Sequence, residues 1–142
     1  MSEPTERVFR EPVVEEMLID HLKQAGYCVV TRPRVPSGYP DIVAEGPEGK
    51  WLIEVKGEDK GGYTSAEMNF QMGLGQIMTR MTDKNARYGL AFPWTPDFKK
   101  VLRKYRGSDG FERLGLSLFV VHRDGRVIRY DATGFSDLLD SL

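Results

Sequence analysis

The sequence predicts an α/β domain in which a mixed β-sheet is flanked by helices. The chain of 142 residues is 40% hydrophobic and 29% charged, a composition typical of a globular domain with one sizeable core. Helix-type and strand-type periodicity alternate along the chain. Three consecutive strands precede the second helix, and this order favours a mixed sheet over a regular doubly wound one.

The first helix is predicted from residue 11 to residue 25. Val14, Leu18 and Leu22 recur at helical spacing, and Gly26 ends the pattern. On this helix Glu15 borders the buried face, whereas Glu16 faces solvent. Glu11 lies on the buried side too, but in the first turn, where an acidic residue simply favours the helix dipole. Residues 1–10 carry no periodic pattern and are predicted to be a flexible arm before a single domain of residues 11–142.

Three strands are predicted at residues 27–30, 41–45 and 51–56, the last two joined by the turn at 46–49. Cys28 is expected to be buried in the first strand. Because side chains alternate along a strand, Glu54 and Lys56 share one face at a wetter edge of the sheet. Ile53 and Val55 take the other face and can bury against a helix. The hairpin brings Asp41 close to Glu54.

The second half begins with a glycine-rich loop, 57–65, which is either a mobile cover or a plain connector. A helix is predicted at 66–82, with Phe70 and Ile77 on its apolar face. A separate stripe holds Asn69, Gly73, Gln76 and Arg80. Tight packing on the sheet is the favoured reason for at least one helical glycine. The later elements are a strand at 87–92, a helix from the Thr95 cap to Tyr105, strands at 114–121 and 127–130, and a helix at 136–142.

The chemistry of the hairpin points to a cation site. Carboxylates such as those of Asp41 and Glu54 suit Mg²⁺ or Mn²⁺, and the ammonium of Lys56 could orient or deprotonate a water molecule. The alternative is a surface ion pair between Glu54 and Lys56, with Asp41 capping a turn. The placement of Glu15 toward the same end of the sheet favours the cation site.

Pro40-Asp41 followed by Glu54-Val55-Lys56 resembles the signature of the PD-(D/E)xK nuclease superfamily, which includes restriction endonucleases and Holliday-junction resolvases. The order of elements from Glu11 to Phe92 is similar to the shared core of that family. The resemblance implies a restriction-endonuclease-like αβββαβ core, here followed by a helix, a β-hairpin and a short helix.

The same resemblance implies roles for individual residues. Asp41, Glu54 and the backbone carbonyl of Val55 would hold the metal, and Lys56 would activate or position the attacking water. Glu15 would add a carboxylate from the first helix. Gln76 matches a glutamine found in some branches, whereas Arg80 stands where those branches carry tyrosine.

The function expected from these residues is a metal-dependent endonuclease acting on DNA. The predicted DNA contacts are Lys60, Asn69, Arg80, Lys99, Lys100 and Arg103. The basic helix that carries the last three has an equal alternative as a solvated face. A second class of function is a noncatalytic nucleic-acid-binding or protein-interaction module in a larger assembly. A third is an enzyme acting on a smaller phosphate ester. A homodimer or a partner protein would supply specificity.

Composition limits the other options. The net charge of −1 comes from 20 basic and 21 acidic residues, so attraction to nucleic acid must be local. A single cysteine excludes an intrachain disulfide, and two histidines cannot build a structural zinc cluster. The absence of a transmembrane-length apolar run and of a secretory signal predicts a cytoplasmic protein without a membrane partner. No aromatic platform for single-stranded bases is expected, since Trp51 and Phe70 follow core patterns.

Overall fold

A six-stranded mixed sheet flanked by helices forms the centre of the protein in a computed structural model that describes residues 8–142, apart from the side chain of Ser136. The strands are β1 (Cys28–Thr31), β2 (Ile42–Gly46), β3 (Gly49–Val55), β4 (Ala86–Pro93), β5 (Leu116–Val121) and β6 (Val127–Tyr130). The helices are α1 (Glu11–Gln24), α2 (Gly62–Arg80), α3 (Pro96–Arg103), α4 (Gly110–Leu114) and α5 (Phe135–Asp140), with a 3₁₀ turn at Ala132–Gly134. The predicted α/β class and helix-flanked mixed sheet are confirmed.

The strands lie side by side in chain order. The pairs β1–β2 and β2–β3 are antiparallel, the pairs β3–β4 and β4–β5 are parallel, and β5–β6 is antiparallel. Parallel neighbours need a crossover connection, and here α2 links β3 to β4 while α3 and α4 link β4 to β5. The carboxyl ends of β3, β4 and β5 therefore meet at one edge of the sheet, which we call the carboxyl edge.

The two faces of the sheet bury different helices. Ile53 and Val55 join the α1 residues Val14 and Leu18 in one apolar cluster. Leu52, one position away on β3, belongs to the other cluster, which holds the buried residues of α2 and α3. This alternation confirms that Ile53 and Val55 bury against a helix. Because Glu54 is next to both of them, it faces α2.

Element boundaries differ from the sequence-based prediction mainly in the second half of the chain. Helix α2 begins at Gly62, so the predicted loop 57–65 shrinks to residues 57–61. Helix α4 was not predicted, because its flanks are rich in glycine and serine and read as a turn. Gly115, with a φ of 64°, ends that helix in the left-handed region, and the strand predicted from residue 114 starts at Leu116.

Two expectations about single residues are wrong. Cys28 is exposed rather than buried, because β1 is an edge strand with most of its side chains in solvent. Phe9, expected in a flexible arm, is 3% exposed and packs with the α1 cluster. Residues 1–7 of that arm lie outside the described residues. Within residues 8–142, no helix has the length and apolar character needed to cross a bilayer.

Candidate active site

Asp41 and Glu54 meet where the β2–β3 hairpin ends. Asp41 directly precedes β2, and its Oδ2 accepts a hydrogen bond from the backbone N–H of Val55 at 2.8 Å. Burial raises the pKa of Glu54 to about 7; a hydrogen bond from Arg80 opposes this rise, and the neighbouring Asp41 carboxylate adds to it. The hairpin thus brings together the two acids that the sequence predicts to meet.

Glu54 does not lie at a wet edge, as its strand position suggested. The residue is 2% exposed and faces the last turn of α2. Its ion-pair partner there is Arg80, whose Nε donates to Glu54 Oε1 at 2.8 Å. The expectation of a wetter edge is therefore wrong, because α2 closes over this face of β3.

Arg80 also holds the loop that leads into Asp41. Its Nη1 donates to the carbonyl of Ser37 at 2.6 Å and its Nη2 to the carbonyl of Tyr39 at 3.3 Å. The Arg80 side chain is only 15% exposed. These bonds direct the guanidinium at protein acceptors, so contact between Arg80 and DNA stays a prediction.

The loop accommodates this guanidinium because residue 38 is glycine. Gly38 has a φ of 120°, a region that side chains rarely adopt. A β-carbon built on it would lie 2.7 Å from Arg80 Nη1. The loop backbone can therefore approach Arg80 closely only without a side chain at this position.

Lys56 follows β3 and is fixed at both its backbone and its stem. Its backbone N–H donates to the carbonyl of Ala91 at 2.9 Å. A β-carbon on Gly73 would lie 3.1 Å from Lys56 Cγ and 2.6 Å from Leu90 Cδ1. Gly73 thus lets α2 pack tightly on the sheet, as predicted for at least one helical glycine, and the aliphatic stem of Lys56 lies against the helix.

Helix α1 contributes two acids to the surroundings of this site. Glu15 is buried, as its position predicts, and accepts a bond at 2.6 Å from Arg32, whose φ is 48°. Glu11 is exposed overall, yet partial burial of its carboxyl raises its pKa, with Lys56 opposing the rise and Asp41 and Glu15 adding to it. Sequence reasoning left Glu11 to the helix dipole. Its predicted position on the buried side, four residues before Glu15, was the signal that could have included it among the site residues.

The polar stripe on α2 holds one unpaired acceptor. Gln76 Oε1 is buried and has no hydrogen-bond partner, and Gln76 lies on the stripe between Gly73 and Arg80. A buried acceptor without a donor is costly, so this oxygen calls for an N–H or O–H group at its position. Asn69, one turn from Gly73 on this stripe, donates from Nδ2 to the carbonyl of Gly57 at 3.1 Å and so fixes the chain just after Lys56.

Loop 57–61 is held by two hydrogen bonds to Phe9 just after β3. The backbone N–H of Glu58 donates to the carbonyl of Phe9 at 2.8 Å, and the N–H of Phe9 donates to Glu58 Oε1 at 3.1 Å. Lys60 is exposed farther along the loop. Lys56 lines an open cavity of about 400 Å³. The other lining residues are Arg10, Glu11, Pro12, Gly57, Glu58, Asp59 and Asn69.

The carboxyl edge carries an aromatic residue that sequence reasoning missed. Trp94 follows β4, is partly exposed, and has Lys99 Nζ 5.2 Å from its ring centroid. The His122 ring, just after β5, lies 6.3 Å from Trp94. The position of Trp94 just beyond the carboxyl end of the predicted strand 87–92 could have revealed it.

The basic residues of α3 differ in what surrounds them. Lys100 Nζ lies 4.5 Å from the ring centroid of Tyr63, and Arg103 is exposed. Lys104 forms an ion pair with Glu67 of α2. Lys100 and Arg103 are therefore exposed cations on α3, whereas the charge of Lys104, which follows the helix, is neutralised by an acid.

The residues fit a small hard cation. Within residues 8–142, three or more His, Cys, Asp or Glu side chains do not gather into a group that could hold a metal ion. Asp41 and Glu54 nevertheless form a carboxylate pair, and Mg²⁺ is commonly held by one or two carboxylates while keeping several waters. The raised pKa of Glu54 reflects burial beside another acid, a cost that a cation would relieve.

The chain matches no protein-family model, no curated protein and no solved structure. Inference about its function therefore depends on the residues and the geometry of the site.

Proposed function

We propose that the protein is a metal-dependent nuclease that hydrolyses phosphodiester bonds of DNA. The observation that carries the proposal is the close approach of the buried Glu54 carboxyl and the half-buried Asp41 carboxyl, at the end of the strand that leads into Lys56. The similarity of Pro40-Asp41 and Glu54-Val55-Lys56 to the PD-(D/E)xK signature supports it. A restriction-endonuclease-like core is part of the proposal, supported by the order α1-β1-β2-β3-α2-β4.

Asp41, Glu54 and the backbone carbonyl of Val55 would hold Mg²⁺ or Mn²⁺. When bound, the cation supplies Lewis-acid stabilisation of the phosphate and makes water a better nucleophile. The chain's own part is to keep the two carboxyl groups together, and the Val55 amide does so by fixing Asp41. Glu11 and Glu15 add negative charge from α1 on the side of Asp41 and Lys56.

Lys56 would place its ammonium beside the scissile phosphate. Its backbone is bonded to β4 and its stem packs on α2, so the freedom of the side chain is limited to its outer part. A positioned cation stabilises the negative charge that develops on the phosphate oxygens in the transition state, and it can orient the attacking water.

DNA would lie along the carboxyl edge. Lys99, Lys100 and Arg103 offer positive charge on α3, and Lys60 does so on loop 57–61. Asn69 would contribute to DNA binding either by holding loop 57–61 or by contacting the DNA directly. Because the whole chain has a net charge of −1, this local cluster would have to provide the attraction. A homodimer or partner protein would supply specificity.

The direct test is cleavage of linear, flapped, branched and single-stranded DNA with Mg²⁺ or Mn²⁺. Asp41→Asn, Glu54→Gln and Lys56→Met should each lower the rate by about 100-fold or more, since each removes charge from the reacting centre. Lys84→Met is the matched control, because Lys84 is exposed beside the opposite end of β4. Circular dichroism would verify the fold of each variant. No cleavage of any substrate at high wild-type concentration would refute the nuclease.

A noncatalytic DNA-binding module is the second candidate. It is favoured by the bond between Arg80 and Glu54, which gives the buried acid a protein partner without any metal. Such a module would bind DNA equally well in the wild type and in Glu54→Gln, with or without Mg²⁺, and would leave the DNA intact.

A further inference from the structure

Arg80 connects the two parts of the chain that carry the candidate metal-binding acids. We infer that Arg80 is a positioning residue that sets the placement of the Asp41 and Glu54 carboxylates relative to each other. Its functional meaning rests on the proposed metal site. The inference adds a role that the motif itself does not assign to this position.

The side chain of Arg80 bonds two segments that are far apart in the sequence. Arg80 Nε bonds Glu54 on β3, whereas Nη1 and Nη2 bond the carbonyls of Ser37 and Tyr39. Only Pro40, which is buried, separates this loop from Asp41. One guanidinium therefore restrains both acids, Glu54 directly and Asp41 through the backbone that precedes it.

The geometry of these bonds requires arginine. The guanidinium is a rigid planar fork whose N–H groups point in fixed, different directions, whereas lysine presents one ammonium group. Three acceptors on two segments match the fork, and Gly38 leaves space for Nη1. A lysine could reach Glu54 or the loop, but could not hold both in the same way.

The bonds made by Arg80 are compatible with a bound cation. Arg80 bonds Oε1 of Glu54, and Asp41 is held through Oδ2 by the Val55 amide. Protein donors thus hold each acid through one oxygen, and the two carboxyl groups lie within hydrogen-bonding reach of each other, as two acids that share one cation would. Groups that orient metal ligands in this way typically affect metal affinity by 10-fold to 100-fold.

The opposite role is that Arg80 competes with a cation for Glu54 and has to leave before the cation binds. The two roles predict changes of opposite sign. Removal of a positioning residue weakens Mn²⁺ binding, whereas removal of a competitor strengthens it.

The experiment uses the full chain with Arg80→Met and Arg80→Lys. In metal-free protein, amide hydrogen exchange of Val55 reports directly on its bond to Asp41. We expect Val55 exchange to be about tenfold faster in Arg80→Met relative to Leu118 in β5, as loss of one such bond allows. Calorimetric Mn²⁺ titration should show affinity about tenfold or more weaker, with Arg80→Lys in between.

Two further variants separate positioning from general stability. Arg87→Met removes an arginine that pairs with Glu48 and lies over Trp51, so it should change neither readout. Gly38→Ala keeps the charge of Arg80 but strains the loop at a φ of 120° and places a β-carbon against Nη1, so it should accelerate the exchange of Val55 more than that of Leu118.

Unchanged Val55 exchange in Arg80→Met, or Mn²⁺ binding equal to or tighter than that of the wild type, would overturn the inference. If wild-type protein binds no Mn²⁺ while Val55 exchange still responds, the positioning of the acids stands and the proposed metal-dependent function fails.

Discussion

Gly57 passes so close to the start of α1 that a β-carbon built on it would lie 2.1 Å from the backbone nitrogen of Glu11. The same β-carbon would lie 2.4 Å from Glu11 Cα. The chain that leaves Lys56 is therefore packed directly against the backbone of the first helix. This contact ties the position of the lysine to the helix that carries Glu11 and Glu15.

Gly57→Ala should destabilise the protein. A backbone neighbour cannot rotate away as a side chain can, so overpacking should lower the free energy of unfolding by about 2–3 kcal/mol. Urea denaturation measures this change. Gly134→Ala is the control, since a β-carbon there would meet no atom within 4 Å. Equal stability of the two variants would show that the contact at Gly57 relaxes freely.

The two inner glycines of α2 should respond in opposite directions. Gly73→Ala would press on Leu90 and the stem of Lys56, whereas Gly75 is exposed with nothing within 4 Å of its β-carbon. We expect Gly75→Ala to stabilise the protein by about 1 kcal/mol and so to raise the midpoint of thermal unfolding. Gly73→Ala should lower this midpoint. A gain in stability for both would mean that α2 has room to move away from the sheet.

Mn²⁺ binding should depend on pH through Glu54. Its pKa is raised from 4.5 to about 7, so between these values the folded state holds a proton that the unfolded state has lost. The contribution of Glu54 to stability therefore falls as pH rises through this interval. A cation needs the ionised form, so Mn²⁺ affinity should rise about tenfold per pH unit below 7 and level off above it.

Calorimetric titration of Mn²⁺ from pH 5.5 to 8.5 measures that dependence. The contribution of Glu54 to stability is the difference in the free energy of unfolding between wild type and Glu54→Gln at each pH. Carboxyls with lowered pKa values titrate at lower pH in both proteins, so their contribution cancels in this difference. A Mn²⁺ affinity that stays constant across this pH range would show that Glu54 is not part of the cation site.

DNA binding should depend on Lys99. Its ammonium lies near Trp94 at the carboxyl edge, and loss of one phosphate contact lowers the slope of log affinity against log salt by about 1. Fluorescence anisotropy in an Asp41→Asn background, which should not cut the DNA, measures this slope for Lys99→Ala. Lys84→Ala is the matched control. The same slope in both variants would place the DNA elsewhere.

Much of the scaffold could be predicted because it depends on local pattern. The alternation of Ile53, Glu54 and Val55 determines which side chains face α1, and helical spacing places Glu15 at the edge of a buried face. Thr95 caps α3 as its type and position predict, accepting from the N–H of Phe98 at 3.4 Å. These features require only neighbours within a few residues.

The sequence by itself therefore determined the α/β class, the order of the principal elements and the pairing of Asp41 with Glu54 across one hairpin. Only the tertiary structure decided that Arg80, 26 residues from Glu54 along the chain, is its partner, and that Gly57 packs on Glu11. The physical reason is that strand and helix periodicities are local, whereas burial and ion pairing depend on which segments meet in three dimensions. From the sequence alone a polar residue on a strand is predicted to be exposed, because the pattern does not show which helix covers it.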